Sequence, residues 1–455
     1  MGRRRRPAPS PGRHPRRHVL PRAGVVSRAR PRTARGRPRP RGRLHEGRRP
    51  PESSDDVIDL IDLRRTLHQN PELALDLPVT RQLLVDALEP LGLTMHTSAS
   101  CSSLAVVVPG AEPGPTVLLR ADMDGLPVVE ESGEEFSSTN GNMHACGHDL
   151  HMAGLVGAVH QLHSRREEFT GDVLAVFQPG EEGAGGAALM ISEKAHLLTG
   201  QKPIASYGLH VLSFAETGVF YCREGEVMGA AMLFELELLG RGGHAARPHT
   251  ALDPISTAAL VVQAIQTFVA QNSAPGDPIV VTVGSIVAGT AANVIPSRAL
   301  LKVSLRAASH ETARAAYEKI RGIATAIAVA YGLGLRAEIG PDLGPTVTDA
   351  EGVALVRRSV ADLYGAARYR ELVVPEMISE DFSQFLEETG GAFVLVGAAV
   401  GDPSHPLPTN HSPEARFDDS VVPDMSSLLA DLAIRRLNAA RRGDERDGMQ
   451  TTDSK

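Results

Sequence analysis

Apolar residues recur at helical spacing in Val57, Leu60, Ile61 and Leu67, and Ser54-Asp55-Asp56 just ahead supplies an N-cap. A second helix is expected over 79–91, stopped by Gly92. The pattern then changes to short, nearly continuous apolar runs at 104–108, 116–120, 173–177 and 206–210. Helical stretches separate them, over 149–162 and from Gly185 onward. Unbroken apolar strands alternating with helices predict a mostly parallel sheet covered on both faces, an α/β fold.

Beyond Gly225 the texture differs. Residues 232–238, Met-Leu-Phe-Glu-Leu-Glu-Leu, alternate as a half-exposed strand does, and Asp253-Pro254 caps a long helix through Gln271. Strands at 279–287 and 300–305 and a helix over 311–331 complete two helices on a four-stranded, largely antiparallel sheet. This α+β unit, 226–338, reads as an insertion in the first domain. Residues 340–345 return the chain to that domain, which continues with a helix from Asp349, a strand at 392–396 and a terminal helix ending near Arg441. The expected division is a tail (1–52), a first domain in two parts (53–225 and 339–441), the insertion (226–338) and a frayed end (442–455). A chain of 455 residues exceeds what one core usually serves.

Charge changes the picture at one end only. Residues 1–50 hold 18 Arg and a single acid, Glu46, for a net charge of +17; the formal total of −7 leaves −24 for the rest. Rich in Arg and Pro and poor in large apolar residues, the tail is expected to be disordered. Three origins are open for it: a start codon assigned too early, a polyanion-binding arm, or a weak export signal at Arg16-Arg17, whose apolar stretch is broken by Pro21 and Arg22. The acidic body argues against a nucleic-acid partner. No run approaches the roughly 18 apolar residues of a membrane span. Three cysteines, Cys101, Cys146 and Cys222, make no disulfide framework and fit a reducing cytoplasm.

The chemistry is concentrated in Asn142-Met143-His144-Ala145-Cys146-Gly147-His148-Asp149-Leu150-His151, which reads as half of a metal site. Cys146 and His148, two apart, can face one centre from an extended loop; His144 and His151 could equally support a ligand or face substrate. Glu181-Glu182 follows the 173–177 strand, at the carboxyl end where α/β sheets place ligands, so one carboxylate ligates and the other moves protons. His210 ends another strand, and His411 lies in a Pro-flanked loop. Alone, each has an ordinary structural reading; their force comes from the set.

Together with Arg120-Ala121-Asp122-Met123-Asp124-Gly125-Leu126-Pro127, Gly242-Gly243-His244-Ala245, Gly289-Thr290-Ala291-Ala292-Asn293-Val294-Ile295-Pro296 and Ser379-Glu380-Asp381-Phe382, these motifs resemble the M20 metallopeptidases, in the branch of hippurate, N-acyl-amino-acid and auxin-conjugate hydrolases. The resemblance spans about residues 55–440. It implies a zinc-exopeptidase-type catalytic domain with an inserted lid that dimerises, metal ligands Cys146, His148, Glu182, His210 and His411, and Glu181 as general base. Many relatives carry His-x-Asp where this chain has Arg120-Ala121-Asp122, so that His ligand is absent here. His244 is implied as the oxyanion group, reaching a partner subunit's site. The donor set suits Zn, Mn, Co or Ni; the resemblance implies Mn or Zn, with up to two ions per subunit.

Asn293 and Arg306, at the ends of lid strands, are candidates for the substrate's α-carboxylate, although Arg306 could instead make a structural salt bridge. Glu380-Asp381 reads equally as a helix cap. The expected activity is cleavage of an N-acyl amino acid to a carboxylic acid and a free amino acid. A dipeptidase or aminoacylase-like exopeptidase is the alternative, and a non-catalytic binding protein of the same fold is disfavoured by the intact ligand set. A small-molecule substrate and a homodimer or larger homo-oligomer are the expected partners.

Overall fold

The computed structural model of the chain describes residues 58–274, 278–402 and 405–452. The expected tail and the Ser54-Asp55-Asp56 cap fall outside them. The first helix is Leu60–His68, and its N-cap is Asp59, whose carboxylate accepts from the amides of Ile61 and Asp62. The second, Pro78–Leu88, tightens into a 3₁₀ turn, Glu89–Leu91, before Gly92 ends it at φ 62°.

Eight strands form the larger sheet, in the spatial order Thr94–Thr97, Leu104–Pro109, Asp172–Gln178, Thr116–Asp122, Ala205–Leu212, Gly391–Gly397, Phe220–Cys222 and Tyr369–Glu371. The four central strands are mutually parallel, while Leu104–Pro109 and Phe220–Cys222 join them antiparallel. Their unbroken apolar sequences are explained by burial on both faces. Val117, Leu119, Ala121, Val173, Ala175 and Phe177 point into one core, beneath His148–Ser164 and Val422–Thr452. Leu118, Leu174 and Val176 point into the other, with Phe382, Phe385 and Phe393.

The second sheet is antiparallel, in the order Ile279–Ala288, Arg298–Ala307, Ala230–Leu239 and Gly334–Leu343. Helices Pro254–Asn272, capped by Asp253, and His310–Ala330, capped by Ser309, cover one face over Met232, Phe234, Leu236 and Leu238. The alternate residues carry charge on the opposite face, where Lys302 pairs with Glu235 at 3.4 Å across the strands. This is the expected α+β unit of two helices on four strands.

Two boundaries differ from expectation. The fourth strand runs on to Leu343, with a register shift between Ile339 and Asp342, so the return to the larger sheet begins later than residue 340. The terminal helix extends from Val422 to Thr452 rather than ending near Arg441. The polar sequence after Arg441 has no proline, and the helix continues through its charged residues and through Gly443 and Gly448, each glycine costing about 1 kcal/mol relative to Ala.

An ion-pair cluster ties the first helix to the start of His148–Ser164. Arg64 Nε and His68 Nδ1 each lie 2.8 Å from Asp149 Oδ2, and His68 Nε2 lies 3.1 Å from Glu130 Oε1. Burial alone would lower the His68 pKa, but the Asp149 and Glu130 carboxylates outweigh it and push it up to about 9. A histidine raised in this way stabilises the fold fully below its unfolded value near 6.5 and loses that contribution as pH rises through about 9. His68→Gln is therefore expected to cost up to roughly 3 kcal/mol at pH 6, at about 1.4 kcal/mol per pKa unit. Urea unfolding at fixed metal concentration should show the gap from the parent narrowing by pH 9.5; a gap independent of pH would refute the charged-histidine account.

Candidate active site and metal centre

The central parallel strands end on the same side of the sheet, and three of the four deliver part of one polar cluster. Thr116–Asp122 ends in Asp122, with Asp124 just beyond; Asp172–Gln178 leads into Glu181-Glu182; Ala205–Leu212 carries His210. The helix His148–Ser164 begins at the site. Gly147, at φ 82°, has space only for hydrogen, because a Cβ there would lie 2.3 Å from a Val211 methyl. The tight approach brings Cys146 and His148 to the same centre. His411 holds a left-handed conformation at φ 71°, with its amide bonded to the Ala145 carbonyl at 2.8 Å. A strained non-glycine residue fixed in this way belongs among functional positions.

The donor atoms converge. Cys146 Sγ lies 3.4 Å from His210 Nε2 and 3.2 Å from His411 Nε2, and Glu182 Oε1 lies 3.2 Å from His411 Nε2 and 3.9 Å from His148 Nε2. Ligand bonds of about 2.0–2.3 Å put neighbouring donors roughly 3–4 Å apart around one ion. His148 Nδ1 donates to the Asp124 carbonyl at 2.7 Å and His210 Nδ1 to the Val211 carbonyl at 2.9 Å, so each turns a bare Nε2 inward. Buried His148 Nε2 has no hydrogen-bond partner among the described residues. These residues fit a divalent metal.

His151 resolves differently from its two sequence readings. Its Nδ1 meets Asp122 Oδ1 at 2.6 Å and its Nε2 accepts the Val211 amide at 2.9 Å, which leaves no lone pair for an ion and orients Asp122 instead. His144 is buried, hydrogen-bonded at neither ring nitrogen among the described residues, and pushed down to about 3, chiefly by burial.

Several contributors were not assigned from sequence. Both Asp124 oxygens accept backbone amides, from Glu181 at 2.9 Å and Glu182 at 3.1 Å, which fixes the turn carrying the two carboxylates. Arg120, fully buried, spends its guanidinium on Gln178 (2.9 Å), Asp122 (2.7 Å), Glu380 (2.8 Å) and Asp381 (3.0 Å). Glu380-Asp381 is thus a buried clamp as well as the lead-in to the helix Ser383–Thr389. An Arg in the middle of a buried strand was the one available signal, since such a charge must be paired.

The electrostatics are those of a site short of positive charge. Burial pushes the Cys146 thiol and the Glu181 carboxyl well up, helped by neighbouring carboxylates, and Glu380 rises to about 8 for the same first reason despite Arg120. Burial lowers His148 and His210. Glu182 falls below its ordinary value because the His411 hydrogen bond and the His148 charge outweigh burial.

A cleft of about 430 Å³ opens over these groups, and Arg306 is among its lining residues, bonded to the Ser379 hydroxyl. Cys146, His148, Glu181, Glu182, His210, Arg306 and His411 are thereby brought together. His244 and Asn293 lie apart from the cleft and beside each other, on the paired strands Gly243–His244 and Val294–Ile295 and their turn, both exposed.

A family model, Peptidase family M20/M25/M40, matches residues 118–435. The chain belongs to the M20 family. An IAA-amino acid hydrolase ILR1-like 2 of Arabidopsis thaliana is 33% identical over 390 residues, covering 84% of this chain and 87% of that protein. Thermostable carboxypeptidase 2 of Saccharolobus solfataricus is 33% identical over 384 residues, covering 83% and 95%. Among solved structures, the YXEP protein of Bacillus subtilis, described as a dinuclear metal-binding peptidase of the M20 family, superposes with a TM-score of 0.69 at 29% identity over 83% of this chain and 98% of that one. This M20 chain is a metal-dependent amidohydrolase built as a catalytic α/β domain with a lid.

Removing the guanidinium would strand buried carboxylates. Arg120→Met is expected to destabilise the M20 chain by about 3–5 kcal/mol, read from urea unfolding. A loss below about 1 kcal/mol would show that the clamp carries no uncompensated charge.

Proposed function

We propose that this M20 enzyme cleaves the amide of N-acyl amino acids, hippurate-like, into a carboxylic acid and a free amino acid. The observation that carries the reading is a single cleft lined both by Cys146, Glu181, Glu182, His210 and His411 and by the Arg306 guanidinium, which is suited to a free carboxylate.

Cys146, His148, Glu182, His210 and His411 would hold the metal, Mn or Zn in preference to Co or Ni. Two donor groups, Cys146 with His148 and His210 and Cys146 with Glu182 and His411, share the same sulfur, which supports up to two ions per subunit. When bound, the metal lowers the pKa of water and polarises the carbonyl. Glu181 takes a proton from the attacking water and returns it to the departing amine nitrogen. Water adds across the C–N bond, so the acid and the amine account for every atom. Asn293 assists carboxylate binding, and His244, exposed on the lid, stabilises the developing oxyanion in a partner subunit's cleft. That role makes a homodimer or larger assembly through the lid part of the proposal.

We assign 58–225 and 344–441 to the catalytic domain, 226–343 to the lid, and a cytoplasmic location. Among the described residues no helix is long and apolar enough to cross a membrane. The carboxypeptidase relative favours a second reading, an exopeptidase using the same carboxylate recognition on a peptide.

Glu181→Ala is expected to lower kcat on hippurate by about a thousandfold or more with bound metal unchanged, whereas Cys146→Ala weakens metal retention, both read by metal analysis beside the assay. Retained turnover in the first variant would refute the assigned mechanism. His244→Ala should reduce kcat by about 10²-fold or more with KM changed far less. An unaltered kcat would exclude it as the oxyanion group.

A further inference from the structure

Arg306, Ala231 and Leu343 stand in one row across three lid strands. Ala231 is directly opposite Arg306 on one side and Leu343 on the other, so their side chains share a face, and all three line the cleft. Leu233, two residues along the same face, continues the row, and Met377 and Ile378 close it from the loop that precedes Ser379. Leu233 and Ile378 are each 42% exposed. Apolar side chains left open beside a carboxylate-binding guanidinium form a surface that a ligand can cover.

We propose that this strip is the subsite for the side chain of the amino-acid half of the substrate, and that it selects apolar side chains. The inference rests on the N-acyl amino acid reading. An amino acid's carboxylate and side chain leave the same Cα, so a carboxylate on Arg306 sets the side chain down beside it, on Ala231, Leu343 and Leu233. The acyl chain extends from the carbonyl carbon on the side away from that Cα, and the mechanism places the carbonyl among Cys146, Glu181 and Glu182. A basic side chain on the strip would lose water beside a guanidinium of like charge, and an acidic one would compete with the α-carboxylate for Arg306. Each methylene buried there adds about 0.8 kcal/mol, roughly fourfold in kcat/KM.

The test is kcat/KM of the metal-loaded protein for N-acetyl-Leu, N-acetyl-Met, N-acetyl-Gly, N-acetyl-Asp and N-acetyl-Lys, with N-benzoyl-Gly as an acyl control. N-acetyl-Leu and N-acetyl-Met are expected to exceed the Gly, Asp and Lys conjugates by about tenfold or more. Leu233→Asn and Ile378→Asn, neutral changes at exposed positions that leave the core intact, should each lower kcat/KM for N-acetyl-Leu and N-acetyl-Met severalfold more than for N-acetyl-Gly and so remove most of that preference. Equal rates across the amino-acid series, or variants that alter the benzoyl-to-acetyl ratio instead, would overturn the assignment while leaving the amidohydrolase reading in place. Silence on every substrate with metal bound would overturn that reading, and the subsite with it.

Discussion

Buried negative charge without enough cations to meet it is the constraint on which the site depends. Asp122, Asp124, Glu181, Glu182, Glu380 and Asp381 are gathered at the ends of parallel strands around the buried Arg120, beside the Cys146 thiol. Burial and the neighbouring carboxylates hold Glu181 and the Cys146 thiol in their neutral forms, whereas Asp122 and Glu182 are lowered by the histidines beside them and, for Asp122, by Arg120. A divalent ion reverses that logic, since it favours a thiolate and two carboxylates over their neutral forms. The backbone is built to hold this arrangement ready. Asp124 fixes the Glu181-Glu182 turn, Gly147 permits the close approach of Cys146 and His148, and carbonyls set the inward nitrogens of His148 and His210.

Arg120 divides the labour below that centre. By pairing with Asp122, Glu380 and Asp381 together it joins the strand Thr116–Asp122 to the segment before Ser383–Thr389. Arg306 lies in the cleft instead, half-buried on a lid strand and bonded to Ser379. The two arginines are chemically alike, but one is consumed by protein carboxylates and the other faces the cleft.

Much of this was legible in the sequence, for identifiable reasons. The central strands stood out because burial on both faces leaves no polar alternation to blur them, and the lid strand Ala230–Leu239 because one covered face imposes it. Thr94–Thr97, Phe220–Cys222 and Tyr369–Glu371 escaped notice because three- or four-residue strands toward the sheet edges carry no comparable run. Cys146, His148 and the Glu pair were readable as local chemistry. The clamp was not, because Arg120 and Glu380 are 260 positions apart and only the folded sheet brings them to 2.8 Å. His151 kept two readings until both ring nitrogens were seen to be committed.

The central claim is that the donor cluster becomes catalytic through a divalent ion. The most direct measurement is amino-acid release from N-acyl amino acids by protein stripped with a chelator, before and after Mn²⁺ or Zn²⁺ is added back. The account predicts no release from the stripped protein and recovery in step with metal bound. Release that persists at full rate with the metal removed would contradict it.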